Sequence, residues 1–239
     1  MHIEGMPVVA VPAREAPDPW WTDAAAALTA DLADPRYPCH FGHIALSRGE
    51  LFATFFDRGL DGLAGSLREF LDQSGRTPAR RLALAAFRRP EEDDGDERSY
   101  ADEFWRILQH LHDHDDRPWP DGVPSDPDDP MWEFSFHGSA MFVFAAAPSY
   151  KRRRSRSLGA AMVLLFQPRN VFAGIEGGTA AGIAARRRIR AWLAAWDGTA
   201  PHPDLGDYGD PSNHEWRQYF IADGDSRLHE RCPLRIRNP

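Results

Sequence analysis

The sequence predicts one α+β domain, with a mostly antiparallel sheet, flanking helices and an irregular C-terminal cap. Three observations carry that prediction. The chain has 239 residues and no internal repeat or linker, a length that suits one large domain. Apolar residues recur at helical spacing in four places, whereas three strand-like runs follow one another late in the chain, at Trp132 to Phe136, Met141 to Ala147 and Ala160 to Gln167. The last forty residues set turn formers such as Pro201-His202-Pro203 and Tyr208-Gly209-Asp210 beside large aromatics, which predicts an ordered cap over a pocket.

Residues 1–21 read as a flexible N-terminal segment and residues 22–239 as the domain. Thr22 is positioned to cap an alanine-rich helix through Leu32, which stops at Asp34-Pro35 because proline disfavours helical geometry in the residue before it. His43 to Leu46 and Glu50 to Phe56 flank Ser47-Arg48-Gly49 and are expected to form a hairpin. Leu60, Leu63, Leu67, Phe70 and Leu71 predict an amphipathic helix ending near Ser74-Gly75, and Arg81 to Phe87 a strand. Ser99 is expected to start a helix with the stripe Tyr100, Phe104, Ile107, Leu108 and Leu111, with Asp102 at the reciprocal capping position. Glu91 to Glu97 reads as a solvated loop, and the Pro- and Asp-rich run from Arg117 to Pro130 as an ordered functional loop or a lid. A helix from about Ala180 to Trp196 closes at Asp197-Gly198.

Composition narrows the function. A net charge of -8 disfavours general nucleic-acid binding. A mean hydropathy of -0.52 and the lack of any long apolar run argue against a membrane span, and the N-terminus does not read as a secretory signal, so a cytoplasmic location is expected. Cys39 and Cys232 then read as free thiols or ligands. The motifs of phosphate-loop NTPases, dinucleotide-binding enzymes, zinc proteases and serine hydrolases are missing, and Gly174 to Gly178 reads as a turn.

Candidate chemistry remains at four places. Lys151-Arg152-Arg153-Arg154-Ser155-Arg156 sets five cations between two strands, either as a solvated hairpin tip or as paired guanidinium forks for a carboxylate or phosphate. His110 and His114, four apart, have metal-ligand spacing at a polar helix end. Cys39, behind the stiffening Pro38, is a nucleophile, a metal ligand or an inert buried thiol, and Cys232 has the cation of Arg231 beside it. Glu133 and Ser135 share one face of a strand, where Glu133 is an acid, base or cation anchor if that face lines a cavity, and a surface residue otherwise.

Phe104-Trp105-Arg106-Ile107-Leu108-Gln109, Pro118-Trp119-Pro120, Trp132 to Phe136, Lys151 to Gly159, Phe166-Gln167-Pro168-Arg169, His202 to Gly206, Tyr208 to Pro211 and Glu215 to Phe220 together resemble the YqcI/YcgG family, from about Tyr37 to Cys232. The resemblance implies a haem b enzyme of the kind that hydroxylates the nitrogen of arginine-like or lysine-like substrates with O₂ and an external electron donor. The alternative it leaves is a non-catalytic haem- or anion-binding protein. It implies Arg153 and Arg156 first, and Arg169 third, as holders of the haem propionates. It further implies Cys39 as the thiolate axial ligand, with Cys232 and His202 as alternatives, and Glu133 or Glu215 as holder of the substrate cation. The histidine that the guanitoxin-type branch places before a proline is Ala147 here.

Overall fold

Successive side chains of a strand point to opposite sheet faces, and in this protein the two sets meet very different surroundings. The computed structural model describes residues 9–10, 19–92, 95–175 and 178–237. Within them, Val9–Ala10 (β1), Leu51–Phe56 (β2), Ala83–Arg88 (β3), Phe134–Phe136 (β4), Ser139–Ala146 (β5) and Met162–Pro168 (β6) form one sheet in the order β1-β2-β3-β6-β5-β4. β1, β2 and β3 run parallel, whereas the β3/β6, β6/β5 and β5/β4 pairs are antiparallel. The helices are Pro19–Ala33 (α1), His40–Ser47 (α2), Leu63–Arg76 (α3), Glu97–Asp113 (α4), Ala180–Asp197 (α5) and the single turn Trp216–Tyr219 (α6). A mostly antiparallel sheet with flanking helices is the α+β architecture that the sequence predicts.

One face is sealed. Phe52 of β2, Leu84 of β3, Leu164 and Phe166 of β6, Val143 of β5 and Phe134 of β4 join the apolar stripes of α3 and α4 in one core. The stripes are Leu63, Leu67, Phe70 and Leu71 on α3, and Phe104, Ile107, Leu108 and Leu111 on α4. Burial of side chains of this size stabilises by about 1.5–3 kcal/mol each, which is why the two strongly amphipathic helices sit here.

The other face is covered in two ways. Leu51 and Ala53, Ala83 and Ala85, and Val163 and Leu165 pack under Leu28 and Leu32 of α1 and Ala45 and Leu46 of α2. Beyond them, on the β5 side, the cover is α5, in which Gly182 is the buried residue. Among the described residues no helix is long and apolar enough to cross a membrane.

Several elements differ from the sequence prediction. The expected first hairpin strand is instead α2, because His40–Ser47 ends in a left-handed glycine. Gly49 has φ 62°, and the N–H groups of Gly49 and Glu50 donate to the carbonyls of Leu46 and Ala45 at 3.2 and 2.7 Å. This paired closure of a helix C-terminus makes Ser47-Arg48-Gly49 a helix stop rather than a hairpin turn. At α4 the cap is Asp96, whose Oδ1 accepts from the N–H and the hydroxyl of Ser99, both at 3.0 Å. Asp102 pairs one turn back with Arg98 at 3.6 Å instead of capping.

The β4–β5 connection is a two-residue turn, His137-Gly138, with φ 52° and 72°, matching the positive pair that tight hairpins require. Of the expected flexible segment, Val9–Ala10 pairs with β2 and Pro19–Trp21 opens α1, so α1 begins before Thr22. The remainder, 1–8 and 11–18, lies outside the described residues, as do 93–94 of the acidic stretch and 176–177 of the glycine turn. The run from Arg117 to Pro130 is ordered against the sealed core, where the Trp119 ring stacks on Trp132 and its indole N–H donates to the Val123 carbonyl at 3.0 Å.

Candidate functional site

Beyond the reach of α1 and α2, β5 and β6 present Phe142, Phe144 and Gln167 to a cavity of about 270 Å³. Ala185, Ile189 and Leu193 of α5 form one wall, Tyr37 to Phe41 a second, and the irregular segment from Pro201 to Ile221 closes a third side. The run Arg117–Pro130 contributes nothing to this lining, so it is not the lid of this cavity.

Cys39 sits in the wall as the N-cap of α2, where its Sγ accepts from the N–H of Gly42 at 3.3 Å. The approach demands glycine, since a Cβ at residue 42 would meet Sγ at 2.8 Å and Leu32 Cδ2 at 2.4 Å. Burial pushes the thiol up, while the Gly42 N–H and the charge of Arg156 pull toward thiolate. His43, one turn on, fixes the segment by contacts from its ring to the carbonyls of Leu32 and Tyr37 at 2.6 and 2.8 Å.

The basic run is neither a solvated tip nor an open fork. Its backbone wraps acids of the chain itself. The N–H groups of Arg152 and Arg153 donate to Asp223 at 2.9 and 2.8 Å, and the N–H of Ser155 donates to Asp197 at 2.7 Å. The Arg153 guanidinium, 1% exposed, donates to the carbonyls of Ala222, Ala200 and Gly224 at 3.1, 3.0 and 3.2 Å and to Asp225 at 2.7 Å. Arg156 donates to the carbonyls of Ala145, Tyr219 and Gln218 at 3.1, 3.1 and 3.0 Å, with its guanidinium 4.8 Å from the Phe144 ring centroid. Both arginines border the cavity, yet their forks staple the C-terminal segment to the sheet.

The third predicted arginine is placed differently. Arg169 follows β6, donates to Glu133 Oε1 at 2.6 Å and lies 3.5 Å from the centroid of the Tyr208 ring. Glu133 is 1% exposed, and burial lifts its carboxyl to about 7 against the pull of Arg169. Glu215 accepts from Gln218 and Asn213 at 2.9 and 3.1 Å, both through Oε2. Burial and then repulsion from Glu133 lift Glu215 to about 8. Arg169 thus pairs with Glu133 behind it, while Glu215, which borders the cavity, feels both charges only through space.

Of the three predicted metal ligands, Cys39 borders the cavity and the other two do not. Next to the lining Pro201, His202 turns into the protein, where its Nδ1 accepts from the Asp204 N–H at 3.1 Å and its Nε2 lies 3.3 Å from the Ser226 carbonyl. Cys232 packs against the core of the sealed face, and burial lifts its thiol to about 12. His110 and His114 stack on each other at 4.1 Å, and Nδ1 of His114 engages the His110 carbonyl at 2.8 Å.

The sequence profile of the YqcI/YcgG family matches residues 28–235. The chain belongs to the YqcI/YcgG family. Among curated members, YcgG of Bacillus subtilis (strain 168) is 36% identical over 205 residues, covering 83% of this chain and 80% of its own. YqcI of the same organism is 34% identical over 224 residues, 90% and 87% of the two chains. DcsA of Streptomyces lavendulae, provisionally named an N(omega)-hydroxy-L-arginine synthase, is 30% identical over 227 residues, 91% and 85% of the two chains. No solved structure matches the chain.

In this YqcI/YcgG protein the quoted motifs converge, for Gln167 and Arg169, Tyr208, and Glu215 and Gln218 all border the one cavity. Sequence reading missed the α5 contribution. Arg186 and Arg190 stand one turn apart, line the cavity and both reach Asp207 at 2.8 Å. Their i, i+4 spacing was the available signal. Nothing local in the sequence marks Tyr208 as the ring against which Arg169 stacks.

Proposed function

We propose that the protein binds haem b in this cavity and hydroxylates a nitrogen of a small amine- or guanidine-bearing substrate. The observation that carries this reading is that Glu215 and Arg169, the latter paired with the buried Glu133 behind it, border the cavity that Cys39 also borders. With both acids ionised, one guanidinium leaves a net negative charge in a poorly solvated place, and a substrate cation would balance it. Glu215 has the free geometry for that task, because the amide donors of Asn213 and Gln218 orient Oε2 and, among the described residues, Oε1 accepts from none. The name of DcsA, a relative at 30% identity, supports the choice of substrate class.

The lining chemistry suits a flat, largely apolar cofactor with acidic edges, but a haem with a substrate beside it fills more than 270 Å³, so binding requires the cavity to widen. Phe142, Phe144 and Phe172 offer ring surfaces, and Ile189 and Leu193 face them from α5. Cys39 offers sulfur at a helix start; burial holds the thiol protonated more firmly than usual, the Gly42 N–H and the Arg156 charge only partly oppose this, and metal binding would have to displace the proton. The forks of Arg153 and Arg156 are engaged with the fold, and Arg190 likewise donates to the carbonyls of Leu205 and Gly206 at 2.8 and 3.2 Å, so ring carboxylates would be held by Arg186 and Arg190 only in exchange for Asp207. Haem, when bound, supplies an iron that activates O₂ with electrons from an external donor. The residues here bind, orient and balance charge. Glu215 holds the substrate cation, and Glu133, paired with Arg169 behind the cavity wall, together with Tyr208 stacked on Arg169 fixes that wall.

The test is turnover. Haem-loaded protein with reductant, O₂ and a panel of L-arginine, L-lysine and simple guanidines is expected to give a product heavier by one oxygen on nitrogen, seen by mass spectrometry. Haem uptake with no product from any cation would reassign the protein to ligand carriage.

A further inference from the structure

Away from the cavity, three elements bring side chains together at the β4–β5 turn. His137 occupies a left-handed position in that turn, φ 52°, and is buried, with 8% exposure. Asp72 comes from α3, and Asp115 and Asp116 follow the end of α4. His137 Nε2 lies 3.2 Å from Asp72 Oδ1. A carboxylate only accepts, so Nε2 carries a proton toward Asp72. The other ring nitrogen, Nδ1, is buried and has no hydrogen-bond partner, yet Asp116 Oδ1 lies 3.5 Å from it. That approach of nitrogen to carboxylate oxygen is favourable only with a proton or a metal cation between them.

We propose that Asp115, Asp116 and His137 form a binding site for a first-row divalent cation of the zinc type. One atom from each residue lies within 4.8 Å of the others, close to the spacing of ligands that stand roughly 2.0–2.2 Å from a shared zinc, and side-chain rotation would have to close the remainder. The supporting contacts have the form found around bound metals. Asp72 holds the far ring nitrogen, as a carboxylate does behind a metal-bound histidine. Asp115 is aimed by two backbone donors, the N–H of Arg117 at 3.0 Å on Oδ1 and the N–H of His137 at 2.8 Å on Oδ2. Two carboxylates and a neutral imidazole balance a doubly charged ion, with the Arg68 guanidinium 3.6 Å from Asp116 as a further neighbour. Such a cation would tie α3, the end of α4 and the strained turn into one unit, a structural role separate from the cavity.

The test uses the full chain, stripped with chelator and titrated with Zn²⁺ by calorimetry, beside His137→Gln, Asp116→Asn and Asp72→Asn. Asp116 is exposed, so its variant is expected to fold whatever becomes of the others. The expected result is one zinc per chain, a rise in melting temperature on addition of zinc, and binding about tenfold or more weaker in the His137 and Asp116 variants. In the Asp72 variant, weakening is expected without loss of stoichiometry. A stripped wild type that takes up no zinc, or variants that bind as tightly as wild type, would overturn the proposal and leave a proton as what separates His137 from Asp116.

Discussion

Val143 and Phe144 are neighbours on β5, yet Val143 is sealed among the aromatics that meet α3 and α4, while Phe144 borders a cavity. The same contrast runs along β6, where Phe166 is fully buried on the core side and Gln167 faces the cavity. Both faces obey the same two-residue period. What differs is the cover: two amphipathic helices on one side and, on the β5 side of the other, a helix whose Ile189 and Leu193 meet open space. A sheet face that keeps phenylalanines and a glutamine, with the buried acid Glu215 opposite, without closing over them gives up packing energy, which is the arrangement of a ligand site rather than of a core.

The largest effect should therefore separate the faces. Phe104→Ala is expected to lower unfolding free energy by about 3–5 kcal/mol, since it empties a volume that α4 cannot refill. Phe144→Ala should cost under about 2 kcal/mol and act mainly on ligand uptake. Denaturant unfolding of both variants measures this, and equal losses would erase the distinction. Within the basic run, Arg153→Met leaves three carbonyls without their guanidinium, with the exposed Asp225 still solvated, and should cost about 2–3 kcal/mol. Arg154→Met removes an exposed contact over Trp196 and should cost less than about 1 kcal/mol. Similar melting temperatures for the two would mean that the run is a solvated tip after all.

A smaller effect sharpens the acid pair. Glu215 holds its proton up to about 8, above the ordinary carboxylate value. Between about pH 4.5 and 8 the folded chain therefore binds this proton more firmly than the unfolded chain, and its contribution to stability falls as pH rises across that window. Glu215→Gln should flatten that slope and gain on wild type toward pH 8. The same proton competes with a substrate cation, so wild-type affinity for L-arginine should improve, by at most about tenfold per unit, from pH 6 to 8. In the variant it should be weak and nearly flat. Parallel profiles for the two proteins would remove Glu215 from the recognition of substrate.

Much of this was legible in the sequence where periodicity speaks for packing. The stripes Leu63 to Leu71 and Tyr100 to Leu111 located α3 and α4, and the alternation around Glu133 correctly put it on the opposite face from Phe134. The hairpin at residue 47 was misread because glycine after a short apolar run ends a helix as readily as it turns a strand, and the contacts that decide it come from Cys39 and the His43 ring. The basic run was misread for a related reason. Charge density says how much cation is present, but the acids that answer it, Asp197, Asp223 and Asp225, lie far along the chain and meet it only after folding. Cys39 is preferred to Cys232 on its place in the chain and on the family resemblance, but only the tertiary packing shows one turned to the cavity and the other to the core.

The most direct test is the absorption spectrum of hemin-reconstituted protein in its ferrous–CO form, recorded for wild type, Cys39→Ala and Cys232→Ala. Sulfur ligation through Cys39 predicts a strongly red-shifted CO band in wild type and in the Cys232 variant, and its loss in the Cys39 variant alone. A folded wild type that takes up no hemin, or a Cys39 variant that keeps the shifted band, would contradict it.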